Sequence, residues 1–239
     1  MKRYLSVFEM ITRSSIYKVL LILGVLVATE TAFFYHAMNF SNEITIEGYI
    51  EESFYSVIFQ VAYLLITIVI VLPGMNVGSV QSYTLKRLSI KEKSIFLLQA
   101  LYNLFAYILL WGTQLIVLLI NITIYLKNLP DGVIITNQTM FLAFYRSTFM
   151  HSILPLEDAP GWIILTLIAV TGAVATAEFT RLQRGGKFGF ELLVLVAAVL
   201  VYMPRELGYD ISFILVVIVI VNFWMAARRV TYRLEGNKS

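Results

Sequence analysis

Two histidines and no cysteine limit the chemistry that the side chains of this 239-residue chain could carry out. Without cysteine there is no disulfide, thiolate nucleophile or cysteine-ligated metal. His36 and His151 are too few for an ordinary structural zinc site. The chain also contains no G-x-x-x-x-G-K-[ST], H-E-x-x-H or G-x-S-x-G run, which are the motifs of phosphate loops, zinc proteases and serine hydrolases. The sequence therefore predicts no catalytic residue and no metal site.

One acidic side chain, Glu30, lies well inside a long apolar segment. A carboxylate in hydrocarbon is costly, and by default it indicates a function or a charged partner. Arg146 and Arg205, outside that segment, are candidate partners, whereas His36 is nearly two helical turns further along the chain. The alternative is a protonated or water-solvated glutamate near the membrane interface. Both interpretations remain open at this level.

Amide side chains form a stripe along the apolar segment of residues 95–126. At about 100° per residue, Gln99, Asn103, Gln114 and Asn121 fall within an arc of about 60°. An unsatisfied amide in hydrocarbon is expensive, so this stripe must face either protein or water.

The apolar segment of residues 54–73 carries a similar polar stripe, which includes Gln60 and Tyr63. One interpretation is that the two stripes line a cavity or subunit interface for an amphiphilic substrate. The other is that they form hydrogen bonds between helices, each contributing about 0.6 kcal/mol. The residue pattern does not decide between these interpretations.

The composition sets the environment in which these side chains must be positioned. Of all residues, 59% are hydrophobic and only 14% are charged, and the mean hydropathy is +0.80. Soluble domains carry roughly 25% charged residues, so a soluble globular protein, a disordered chain and a nucleic-acid binder are all excluded. The net charge of +3 is typical of basic loops facing an anionic membrane leaflet. The chain is predicted to be an all-α integral membrane protein.

A membrane-spanning helix needs about 20 mainly apolar residues. Six segments meet this requirement, counting a shorter fifth one: 16–37, 54–73, 95–126, 161–179, 190–204 and 211–227. Glu178 and Glu191 come at predicted helix ends, where we expect them to be solvated.

The distribution of lysine and arginine predicts the orientation, because cytoplasmic loops are enriched in these residues. Fifteen of the 18 basic residues fall on one side of the six predicted spans, and the other side holds only Lys127, Arg146 and Arg205. Both termini are therefore predicted to be cytoplasmic, in a multi-pass protein of the cell membrane.

Three segments outside the spans have apolar faces of their own. Residues 1–15 are predicted to form an interfacial helix that lies along the cytoplasmic surface before turning into the first span. Residues 79–93 are basic, with apolar positions that could dock onto another surface. The external segment 127–160 is predicted to contain an amphipathic helix of about 17 residues, capped by Asn137 and ending before Pro155.

The stretch YTLKRLSIKEK, Tyr83 to Lys93, followed by IFLLQALYN, resembles small bacterial permeases of ATP-binding-cassette exporters, in the type-2 superfamily. The amphipathic start, six spans, cytoplasmic termini and basic second-to-third connection are similar to that family as well. The family often places external helices between its fifth and sixth spans. Here the connection from Pro204 to Asp210 is short, and the long external segment follows the third span instead.

The resemblance implies an exporter permease that moves an amphiphile such as a peptide, lipid or drug. It implies a cytoplasmic ATPase partner in two copies, which would bind ATP and Mg²⁺, and a second permease chain, identical or related. It also implies that residues 79–93 are the coupling helix. In that helix Lys86 and Arg87 would contact the ATPase, and the apolar face would anchor it through Tyr83, Leu85 and Leu88. The chain itself would bind no cofactor and, besides these proteins, would contact membrane lipid.

Two other functions remain compatible with the residues. One is a polytopic membrane enzyme acting on lipid, which would need a polar catalytic cluster near one interface. The other is a non-transporting sensor or assembly subunit of a membrane complex. A neighbouring protein with a nucleotide-binding motif would favour the permease over both.

Overall fold

Every secondary-structure element that is described in the structure, a computed structural model, is a helix. The described residues are 2–40, 45–75, 92–128, 137–156, 158–184, 189, 192–193, 196–197, 199, 216–225 and 228. Their helices are α1 (Lys2–Phe40), α2 (Ile46–Glu52), α3 (Tyr55–Met75), α4 (Glu92–Lys127), α5 (Asn137–Arg146), α6 (Thr148–Ile153) and α7 (Ala159–Arg184). A shorter apolar helix, Val216–Met225, follows. The prediction of an all-α chain is confirmed for these residues.

Four of these helices, α1, α3, α4 and α7, are long and apolar enough to cross a membrane. They correspond to the first four predicted spans. The predicted span 190–204 lies largely outside the described residues, and the predicted span 211–227 is described only over 216–225, the shorter apolar helix. The segment 79–93 also lies outside them, except for its last two residues, which begin α4.

Helix α1 runs without interruption for 39 residues, which at 1.5 Å per residue is about 58 Å. This exceeds the ~30 Å thickness of a bilayer's hydrocarbon core. No break occurs near residue 15, where a turn between an interfacial helix and the first span was predicted. The helix continues through residue 15 because α1 contains no proline, and its one glycine, Gly24, lies further along.

The four long helices form a bundle in which α1 and α4 run in the same direction. The Ser15 hydroxyl donates to the Tyr102 hydroxyl at 2.8 Å, and further along both helices Gln114 donates to Glu30 at 2.8 Å. Helix α7 runs antiparallel to α4. Thr176 of α7 bonds to Asn103 of α4, whereas Arg184, further along α7, bonds to Gln99, which comes earlier in α4. Both α1 and α7 pack on α3 and on α4, so the polar faces of α3 and α4 point into the bundle.

Helices α5 and α6 lie where a single amphipathic helix of about 17 residues was predicted. The helix is interrupted at Ser147, whose backbone is extended (φ −77°, ψ 119°) and whose hydroxyl accepts a hydrogen bond from the Met150 amide. A serine in this position is a favourable helix cap. The break turns Phe149, Met150 and Ile153 into the core, where each is at most 3% exposed.

Gly161, in the first turn of α7, leaves room for a tight connection from α6. A Cβ atom at this position would lie 2.5 Å from Asp158 Oδ2 and 2.7 Å from Pro155 Cβ. We therefore expect Gly161→Ala to lower the free energy of unfolding by about 1–3 kcal/mol, the usual cost of overpacking. Thermal unfolding in detergent would measure it.

The matched control is Gly112→Ala in α4, where an added Cβ meets nothing within 4 Å. There the better helix propensity of alanine predicts no loss and a gain of up to about 1 kcal/mol. Equal effects of the two substitutions would contradict the close contact at Gly161.

Candidate functional site

The amide stripe of α4 is buried inside the bundle and bonds to three different helices. At one end, Arg184 of α7 donates to Gln99 Oε1 at 3.0 Å. One turn further, Asn103 Nδ2 donates to the Thr176 hydroxyl of α7 at 2.8 Å. Gln99 is 6% and Asn103 is 0% exposed. This half of the stripe therefore joins α4 to α7.

The other half of the stripe turns toward α1 and α3. Gln114 Nε2 donates to Glu30 Oε2 of α1 at 2.8 Å, and Asn121 Nδ2 donates to the Tyr55 hydroxyl of α3. Gln114 and Asn121 are at most 1% exposed. For the four predicted amides, these bonds favour the interpretation that the stripe holds the helices together.

Two tyrosines next to these amides, Tyr63 of α3 and Tyr107 of α4, line a cavity. Tyr63 and Tyr107 are stacked with ring centroids 5.2 Å apart, and the Tyr107 hydroxyl shares a 3.0 Å hydrogen bond with Thr67. Gln60, the remaining predicted residue, is half-buried and does not line that cavity.

The cavity has a volume of about 330 Å³ and is lined by α3, α4 and α7, and also by Val199. Its walls are aromatic and aliphatic, and they include Phe59, Tyr63, Tyr107, Trp111, Trp162 and Ala169. Trp111 is held by its indole N–H, which donates to the Ile153 carbonyl at 2.8 Å. Its ring also meets Trp162 edge to face at 6.3 Å.

One side of the cavity opens toward the outer surface of the bundle. Its lining residues include Ile108 of α4, which is 50% exposed, and Trp162 of α7, which is 39% exposed. Volumes of roughly 300–1,000 Å³, predominantly apolar walls and a few polar groups are typical of small-molecule sites. This cavity is the candidate binding site. Of the stripe residues predicted from the sequence, Tyr63 lies on its wall, whereas the other aromatic and aliphatic residues of the wall were not predicted.

Glu30 is fully buried, with 0% exposed surface, and neither histidine nor arginine contacts it within the described residues. Arg146, a predicted partner, instead lies 3.8 Å from Glu47 and is 68% exposed. This prediction was wrong because α5 packs over α2, away from α1. The other predicted partner, Arg205, lies outside the described residues. His36 is exposed and contacts the ring of Phe40.

Glu178, which was expected to be solvated, is buried in an ion pair. Its carboxylate lies 2.7 Å from Arg181, and the two side chains are 1% and 5% exposed. The expectation was wrong because α7 continues to Arg184, beyond the predicted end at residue 179, and packs on α4 there.

Within the described ranges, no three acidic or histidine side chains come together in a way that could hold a metal ion. The predicted coupling residues Tyr83, Leu85, Lys86, Arg87 and Leu88 lie outside those ranges. No protein-family model matches the chain, and comparisons with curated proteins and with solved structures also give no match.

Proposed function

We propose that the chain is a multi-pass protein of the cell membrane and the permease subunit of an ATP-driven exporter for an amphiphile. In this proposal the six predicted spans cross the bilayer, both termini are cytoplasmic and the segment 127–160 is external. The observation that carries the proposal is the apolar cavity between α3, α4 and α7, because it gives the bundle a place to bind such a substrate.

The walls of the cavity suit the apolar part of an amphiphile. Aromatic side chains supply large contact surfaces, and their polar ends can meet a polar substrate group. Two lining residues of the cavity, Ile108 and Trp162, are also exposed on the outer surface of two apolar helices. In a bilayer that surface faces lipid, so a substrate dissolved in the membrane could enter from the side.

Transport against a gradient needs an energy source, and this chain carries no phosphate-binding motif. The proposed source is a cytoplasmic ATPase that binds ATP and Mg²⁺ and contacts residues 79–93. Two such ATPases would act on a pair of permease chains, identical or related. Their closure would shift the bundle between two states, each biased by its ligand.

Affinity purification in mild detergent, followed by mass spectrometry, tests the partnership. We expect a protein with a nucleotide-binding motif to co-purify with the wild-type chain. The double substitution Lys86→Glu, Arg87→Glu should reduce its recovery about tenfold or more, since charge reversal at two contacts easily exceeds 1.4 kcal/mol.

Lys127→Glu is the matched control, because it reverses a charge that is predicted to lie on the opposite side of the membrane. It should leave recovery unchanged. The proposal is overturned if no such ATPase co-purifies, or if the reconstituted chain transports amphiphiles by itself.

A further inference from the structure

The Glu30 carboxyl group and the Gln114 amide form a buried pair that lacks one hydrogen-bond donor for its acceptor oxygens. Gln114 Nε2 donates to Glu30 Oε2 at 2.8 Å. The two remaining oxygens, Glu30 Oε1 and Gln114 Oε1, have no hydrogen-bond partner among the described residues. Both are acceptors when Glu30 is ionised, so neither oxygen can satisfy the other.

An ionised Glu30 would also need a balancing positive charge. The described basic side chains Arg13, Lys18, Lys93 and Lys127 of α1 and α4 are exposed. The ion pairs of the described region involve other acidic groups. A buried charge without a partner costs several kcal/mol, and the group is usually neutralised instead.

The titratable groups on the helices around α1 do not supply that charge. From α3, the Tyr55 hydroxyl accepts a hydrogen bond from Asn121 of α4. The others have their own contacts: Glu47 of α2 with Arg146, Tyr49 of α2 with Phe34 and Tyr125, and Tyr63 of α3 with Tyr107 of α4. All of these groups are neutral or acidic, apart from the arginine that pairs with Glu47.

The burial of the pair favours a proton as the neutralising cation. The Glu30 and Gln114 side chains both have 0% exposed surface, so bulk water does not reach the pair. A proton needs no added volume. Placed on Glu30 Oε1, it provides the hydrogen that both unpartnered oxygens lack.

We propose that Glu30 is an intramembrane proton-binding site, neutral in the packed bundle and paired with Gln114 as a carboxylic acid with a primary amide. The proton comes from water and adds to Oε1, which then donates to Gln114 Oε1. Separation of α1 from α4 would admit water to the carboxyl group, which would then release the proton. Opening of this helix contact is therefore coupled to proton release, and alkaline conditions favour the open state.

Infrared spectroscopy of the purified full-length chain tests the inference, because a neutral carboxylic acid has its own C=O stretching band. We expect this band at neutral pH in the wild type and its loss in Glu30→Gln, which keeps the size and neutrality of the protonated acid. Gln114→Leu should retain the band at a shifted frequency, since Glu30 stays neutral but loses its amide partner.

Glu51→Gln, at an exposed glutamate, is the control and should leave the band unchanged. The inference is overturned by a band that persists in Glu30→Gln, by the absence of a band assignable to Glu30 in the wild type, or by a band that appears only when sodium is removed. The last outcome would assign the site to a metal cation. The measurement needs no ATPase, so its result is independent of the proposed transport function.

Discussion

Arg181→Met is expected to lower the free energy of unfolding by about 3–5 kcal/mol, because it removes the guanidinium group that pairs with the buried Glu178 carboxylate. Glu178 and Arg181 lie 2.7 Å apart with side chains at most 5% exposed. Neither charge can be solvated by water without breaking the packing of α7 on α4. Unfolding in detergent, followed by circular dichroism, would measure the loss.

Two further variants test whether the loss of stability comes from leaving one buried charge without its partner. The double substitution Glu178→Met, Arg181→Met should recover much of the lost stability, since it removes both charges together. Arg146→Ala breaks a second ion pair, at 3.8 Å from Glu47, in which the arginine is 68% exposed. That variant should cost at most about 1 kcal/mol. Similar losses for Arg181→Met and Arg146→Ala would mean that burial of the α7 pair is not what makes it important.

Ala169→Trp is expected to weaken the binding of a fluorescent amphiphile by about tenfold or more, which corresponds to 1.4 kcal/mol. Ala169 lines the cavity from α7. At about 330 Å³ the cavity is near the lower limit of volumes that hold small molecules. An indole in this space would exclude much of the substrate. A binding titration in detergent, with melting temperature as a check on folding, measures the effect.

Ala32→Trp is the matched control, because Ala32 is exposed on the outer face of α1. The same added side chain should leave amphiphile binding unchanged there. If Ala169→Trp folds normally and binds the amphiphile as tightly as the wild type, then the cavity is not the substrate site and the proposed function loses its main support.

The long helices were predictable because each is an apolar run of sufficient length. Residues 54–73, 95–126 and 161–179 were identified from hydropathy, and the structure has α3, α4 and α7 there. The ends of α7 were less predictable. Arg181 and Arg184 are polar enough to indicate a helix end by composition. They remain helical because Glu178 pairs with Arg181, and Arg184 donates to Gln99 of α4.

That the α4 amides share one face turned away from lipid was also predictable, since a shared face follows directly from 100° per residue. Their partners were not. Gln114 and Asn121 lie on the same face, yet one bonds to α1 and the other to α3. Helical periodicity specifies which residues point together but contains no information on which neighbouring helix they meet.

The membrane-like composition, the all-helical class and the inward polar face of α4 follow from residue types and their spacing alone, because each depends on local hydropathy and helix geometry. The cavity, the pairing of Glu30 with Gln114 and the burial of Glu178 were decided by how the helices pack. They depend on contacts between residues 40 or more positions apart, or on where a packed helix ends, and local patterns do not encode either property.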